Sequence, residues 1–429
     1  MISLRKLTAT AAVAVAVSVF SPVPAHAAIL PPPTDFTLSW QGDKLRLTWK
    51  DGGDANYVHV EYPNLGQNNV FLASRHADDS DELLLPANLL HSDRVRLYVQ
   101  SYDGTSFSQP AYSEWFDTEV PAVPYLQDAS LAPGAQVRLI WSQIASPDQT
   151  PNDPLDRPVD RLYATVGATD GPPAYQVPLP VGGESTATID AQPRPAIVRL
   201  EAANDWGTAS TSTGDDDKFV RVARAGVGIA VPTQQVYSQT LAIKSTLDLF
   251  TTAGREDQVT GIPVELQTRP TSTAAWKTSG RYAGNTTAAF DTGIAALGNR
   301  QYRLWVPGRK KVSAHEITLI PEVSTSAKSS VTLTKFTAAG FSPSTAKLGA
   351  TVNLSAKIQP AATVQGTLQR WTGKTWINGS KVQFKNGTAL VPIKASGATA
   401  RYRVNLGPFV FNGLTINATT SSTFTLTIR

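Results

Sequence analysis

Four histidines lie beyond residue 27, His59, His76, His91 and His315, and no two have the H-x-x-x-H spacing that brings two imidazoles to one metal ion. No metal site is expected from them, and with no cysteine in the chain there is neither thiolate ligation nor a cysteine nucleophile. Ser344 and Lys347 have the S-x-x-K spacing of an acylating serine and its base. That pair works at a helix start, whereas here it opens an alternating, strand-like stretch with no S-D-N or K-T-G after it. Carboxylates gather at Asp78-Asp79-Ser80-Asp81-Glu82 and at Asp215-Asp216-Asp217 without the D-x-D-x-D-G spacing of a calcium loop, so both are expected as solvated turns. Neither G-x-S-x-G, G-x-G-x-x-G nor a phosphate-binding loop occurs, and no cofactor is expected.

The chemistry that does stand out is charge. The formal net charge of +4 conceals opposed excesses along the chain. Residues 28–121 carry 14 acids and 6 bases, 122–225 carry 13 and 8, and 226–323 carry 7 and 10. Residues 324–429 contain no Asp or Glu and 12 Lys or Arg. A field of one sign attracts polyanions and steers association. The candidate polyanion-binding residues are Arg370, Trp371, Lys374, Lys381, Gln383, Lys385, Lys394, Arg401 and Arg403. Alternation around Val382 and Phe384 puts Lys381, Gln383 and Lys385 on one side of a strand as a basic stripe. Trp371 is expected exposed and able to stack on sugars or bases, whereas Trp376, which repeats Trp276, is expected in the core, and Phe409 and Phe411 are expected to face inward.

The elements that position these residues are strands. Apolar and polar residues alternate over short segments separated by Gly, Pro, Asn and Asp turns, and long helical patterns are absent. Two segments, Leu45-Arg46-Leu47-Thr48-Trp49 and Val137-Arg138-Leu139-Ile140-Trp141, share one pattern, and Val95-Arg96-Leu97 with Gly104-Thr105 recurs 103 residues later as Val198-Arg199-Leu200 with Gly207-Thr208. A common offset for separate matches marks a duplicated domain. With Trp49 and Trp141 as core tryptophans and Val58, Val60 and Tyr62 on a third strand, the first half resembles a pair of fibronectin type III domains. Those are spacers and binding modules, so the resemblance implies no reaction.

In the second half Leu266-Gln267, Trp276 and Gln301-Tyr302-Arg303-Leu304 are answered by Leu368-Gln369, Trp376 and Arg401-Tyr402-Arg403-Val404. This half resembles bacterial immunoglobulin-like repeats, and the resemblance implies that Tyr302 and Tyr402 pack as corner residues near the sixth strand. The expected fold is all-β: four tandem immunoglobulin-like β-sandwich domains at 28–121, 122–225, 226–323 and 324–429, after a cleaved signal peptide at 1–27. The leader reading rests on Arg5 and Lys6, a 14-residue apolar run from Leu7 to Phe20 and the Ala25-His26-Ala27 cleavage pattern. A membrane span needs about 20 apolar residues, and no stretch after the leader supplies them.

These observations predict a secreted, non-catalytic binding or adhesive protein, extracellular or held noncovalently at the cell wall, whose basic fourth domain docks on an anionic envelope polymer. Cell-wall phosphate polymers, acidic polysaccharide and extracellular nucleic acid all have the required charge. The first alternative is self-association, the basic end of one copy meeting the acidic end of another. The second is a secreted hydrolase whose paired carboxylates come from distant strands.

Overall fold

In a computed structural model of the chain the described residues are 30–63, 69–90, 94–118, 121, 124–143, 150–156, 161–168, 173–210 and 218–429. Residues 1–27, expected as the leader, His91 and the acidic run at 215–217 lie outside them. The chain divides into two compact units, Met1–Glu119 with Pro147–Pro158 and Asp205–Gly207, and Val120–Ser146 with Val159–Asn204 and Thr208–Arg429. Among the described residues regular structure is all β, apart from two three-residue 3₁₀ turns. No helix among the described residues is long and apolar enough to cross a membrane.

The first unit packs a three-stranded sheet, ordered Thr34–Gln41, Lys44–Lys50, Glu82–Pro86, on a four-stranded one, ordered Asn69–Arg75, Ala55–Glu61, Arg96–Tyr102, Ala111–Tyr112. Alternation dictates the core: Leu45, Leu47 and Trp49 of one sheet meet Val58, Val60, Leu97 and Val99 of the other. Gly42, at φ +65°, supplies the left-handed residue of the tight turn joining the first two strands. The two outlying segments of the unit complete this core with Leu155 and Trp206. The Trp206 ring lies 4.9 Å from that of Trp40 and 6.0 Å from Phe116, and Trp40 Nε1 donates to the Leu155 carbonyl at 3.0 Å.

The second unit contains three further sandwiches. In the first of them Tyr125–Ala132, Gln136–Gln143 and Gly183–Ile189 form one sheet, and Tyr175–Leu179, Arg161–Gly167, Ala196–Ala203 and Phe219–Val222 lie in order in the other. Trp141, the expected core tryptophan, is 0% exposed between them. The next sandwich sets Arg224–Ala230 and Lys244–Thr251 against Gln234–Val236, Lys328–Leu333, Arg300–Val306, Ile262–Arg269 and Lys277–Gly284. In the last, Lys335–Ser342, Thr351–Gln359 and Thr388–Lys394 face Thr345–Ala346, Phe424–Ile428, Ala400–Leu406, Val364–Trp371 and Trp376–Phe384. Tyr302 and Tyr402 are buried at matching places in these last two sandwiches. Cores of this kind replace disulfides: burying one Leu, Val or Phe contributes about 1.5–3 kcal/mol, and the cluster under the last sandwich alone buries Phe341, Val352, Leu354, Val382, Phe384 and Leu406 among others.

Within this unit successive sandwiches are joined by hairpins that reach back along the chain. The hairpin of Arg309–Val312 and Glu316–Ile320 leaves its own sandwich and adds to the preceding sheet, with Glu316–Ile320 parallel to Phe219–Val222. That pairing covers an otherwise open sheet edge. It is fixed by an Arg221–Glu316 ion pair at 3.1 Å and a Lys310–Asp128 pair at 2.5 Å. The hairpin of Phe409–Phe411 and Leu414–Ile416 occupies the same place in the last sandwich. The Asn299 amide N–H donates to the Thr415 carbonyl at 2.9 Å, Asn299 Nδ2 donates to Asn417 Oδ1 at 2.7 Å, and Tyr237 packs on Phe411 at 6.2 Å.

Candidate functional site

The last sandwich presents one sheet whose inner positions, Leu368, Val382, Phe384, Tyr402, Val404 and Leu406, are core. Strand parity therefore sends the intervening residues to the outer face. In register, Trp371 lies opposite Trp376, Gln369 opposite both Asn378 and Arg403, and Thr367 opposite Lys381. The two indoles are 5.3 Å apart, the Arg401 guanidinium lies 5.6 Å from the Trp371 ring, and that of Arg403 lies 4.4 Å from Trp376. Gln369 ties the group together, accepting from Arg403 Nε at 2.7 Å and donating to Asn378 Oδ1 at 2.8 Å. The Arg403 guanidinium, stacked on an indole and tethered through Nε, keeps its other donors in fixed directions, which suits it to phosphate or carboxylate oxygens.

Of the nine predicted residues, this face brings together Trp371, Arg401, Arg403, Lys381 and Gln383. Lys381, Gln383 and Lys385 are all exposed and alternate with buried Val382 and Phe384, the geometry of the expected stripe. Lys374 sits exposed in the turn between Trp371 and Trp376, where the Thr372 hydroxyl donates to the Thr375 carbonyl. Two residues lie elsewhere. Lys394 is on the opposite sheet, across from Thr351. Arg370 shares the inward parity of Tyr402, half-buried beside Gly397, and its Nε is buried with no hydrogen-bond partner. Arg370 and Arg401 line a cleft of about 680 Å³ together with Trp371 and Thr399.

Trp376 corrects an expectation. It repeats Trp276, yet neither is core: each is partly exposed on the outer face of its sheet beneath arginines, Trp276 lying 4.3 Å from Arg269 and 4.6 Å from Arg303. The repeat is thus of a surface cluster, down to the bond from Arg303 Nε to Gln267 Oε1 at 2.8 Å. A tryptophan adjoining a polar hairpin turn is the sequence signal for it. Of the two phenylalanines expected inside, Phe409 packs against the core, and Phe411 packs on Tyr237 of the preceding sandwich.

The two sandwiches differ in what neutralises their bases. Glu265 stands opposite Arg281, pairs with it at 3.1 Å and also accepts from Thr278 and Gln267. These contacts hold the Glu265 carboxyl below its ordinary value, the Thr278 hydroxyl contributing most. The register-matched pair in the last sandwich is Thr367 opposite Lys381. Likewise Asp291, paired with Lys244 at 2.6 Å, gives way to Lys394 opposite Thr351.

Elsewhere, the acidic run at 78–82 is turn chemistry: Asp79 Oδ2 accepts from the His76 amide and Glu82 pairs with Arg46 at 2.8 Å. Ser344 and Lys347 flank the two-residue strand Thr345–Ala346, which pairs with Phe424–Ile428, and no helix starts there. Two features escaped the sequence. Asp117, Asp153 and Asp156 bring carboxylate oxygens within 4.8 Å of one another. Asp153 there accepts from Thr150, Leu155 and Asp117 and closes the loop, while burial raises its pKa. The outer face of the four-stranded sheet in the first unit is aromatic, with Tyr57, His59, Phe71, Tyr98, Tyr102 and Tyr112 in contact; His59 and Tyr98 are stacked at 4.9 Å.

No family model matches the chain, and no curated protein matches it by sequence. Among solved structures it is similar to a tetra-tandem repeat from the extending region of a large adhesion protein, at 13% identity and TM-score 0.28, covering 88% of this chain and 94% of that one. It is also similar to the FN1–FN3 domains of chicken CNTN1, at 12% identity and TM-score 0.20, covering 70% and 99%. A third is the three N-terminal domains of the bacteriophage RB49 outer capsid protein Hoc, at 11% identity and TM-score 0.22, covering 72% and 99%. None of these likenesses bears on what this chain binds.

Proposed function

We propose that the chain is an exported, non-catalytic binding protein that docks on an anionic polymer through the outer face of its last sandwich. The observation that carries this reading is the loss of an acid from that face: the Trp, Arg and Gln cluster is repeated, while Glu265 opposite Arg281 gives way to Thr367 opposite Lys381. Bases without local counter-charges project a field that a chain of phosphates or carboxylates neutralises, and the indoles give such a chain flat surfaces to lie on. The test is capture of the chain on immobilised polyphosphate and on uncharged dextran. Retention by polyphosphate that is lost in the Lys381→Glu, Arg401→Glu double variant supports the docking face; equal retention on both matrices contradicts it.

A second reading is favoured by the opposed charge of the chain's ends, 14 acids against 6 bases in residues 28–121 and 12 bases with no acid in 324–429. In it the basic face meets the acidic end of another copy, a head-to-tail contact that need not close. Sedimentation at low salt separates the two, because a monomer in the absence of polymer excludes self-assembly.

A further inference from the structure

Beyond the docking face, the second unit has a half-open cleft of about 490 Å³ where the back-reaching hairpin crosses from one sandwich to the preceding one. This is the size range of small-molecule sites. Its floor is apolar, made by Leu249 and Ile320, both buried, with Val259 at their side. Its polar groups are unevenly matched. Glu316 is engaged by Arg221 Nε at 3.1 Å and by the Thr318 hydroxyl at 2.5 Å, and Glu256 accepts from the Thr251 hydroxyl at 2.7 Å. Lys310 is held by Asp128 at 2.5 Å.

Two cations are left: Lys311 lines the rim and is exposed, whereas Arg309 is half-buried. Arg309 lies opposite Ile320 in the hairpin, lines the cleft, and its Nε is buried with no hydrogen-bond partner. Burial also pulls its guanidinium below the ordinary arginine value. The buried Nε is out of a ligand's reach, but the half-buried guanidinium makes no ion pair or hydrogen bond among the described residues, and an incoming carboxylate matches the fork of its remaining donors.

We infer that this cleft is a binding site for a small organic monocarboxylate with a flat or extended apolar body, its carboxylate on Arg309 and its body on Leu249, Val259 and Ile320. A strongly hydrated inorganic anion is disfavoured by the apolar floor. A neutral or cationic analogue of the same shape leaves the guanidinium unpaired.

The probe is 2-naphthoate, compared by calorimetry with 2-naphthol and 2-naphthylmethylamine on residues 28–429. The expected result is one saturable site for naphthoate, with naphthol and the amine at least 10-fold weaker. Arg309→Met lowers naphthoate affinity at least 10-fold, and Val259→Trp, which fills the cleft, abolishes binding. Equal affinity for naphthoate and naphthol overturns the inference on the wild-type protein alone, even if Arg309→Met fails to fold. Undiminished naphthoate binding by a folded Arg309→Met protein overturns it as well.

Discussion

Trp49 and Trp141 show how a residue's burial and its bonding come apart. Both are buried core anchors, yet the Nε1 of each is buried without a hydrogen-bond partner. Replacing Trp141 by Ala opens a large cavity and costs about 3–5 kcal/mol. Trp141→Phe keeps most of the packing and removes an unsatisfied donor whose burial costs about 1–3 kcal/mol, so it destabilises much less. Chemical denaturation of both variants checks this, and equal losses contradict it. The tryptophans also show where sequence stops. Alternation places Trp49, Trp141 and Trp376 alike on a strand face, but which face is covered depends on the partner sheet, and only Trp376 proves to lie outside under Arg403.

His59 gives a second residue-scale prediction. Burial lowers its pKa from the ordinary value of 6.5, so folding favours the neutral ring. Below that value the unfolded chain takes up the proton first, and stability declines as pH falls through 6.5 toward the lower folded-state value. The melting temperature of the first unit should fall over that window, and His59→Phe should flatten the fall. An unchanged profile in His59→Phe means the ring is not the titrating group.

At the scale of elements, strand periodicity made most of the sandwich cores legible, because period-2 burial needs only local sequence. Lys381, Gln383 and Lys385 could be placed on one side of a strand for the same reason. The hairpins were not legible: pairing Glu316–Ile320 with Phe219–Val222 is a contact across about a hundred residues that no local pattern encodes. Nor did local pattern reveal that Trp206 completes the core of the first unit. The Arg221–Glu316 pair is only 18% and 25% exposed, so Arg221→Met should cost about 1–3 kcal/mol by stranding a charged acceptor. It should also expose the edge of Phe219–Val222 and promote aggregation on heating. Light scattering during a thermal ramp reads both, and a variant as soluble and as stable as the parent removes this role for the hairpin.

For the molecule as a whole, the charge gradient was legible from counting, and the structure adds the reason it matters at a surface. Acids are missing from register positions where the neighbouring sandwich has them, so the bases of residues 324–429 are not paired away. What counting could not separate was the inward Arg370 and the distant Lys394 from the residues that share the Trp371 face. The most direct measurement is the affinity of residues 28–429 for polyphosphate as a function of salt, alongside the Lys381→Glu, Arg401→Glu, Arg403→Glu variant. Polyanion binding releases counterions, so log affinity should fall linearly with log salt, by a slope of about one per phosphate neutralised. The predicted result is a steep slope of several units for the parent and a loss of both affinity and slope in the variant; salt-independent binding, or a variant that binds as the parent does, contradicts the docking face.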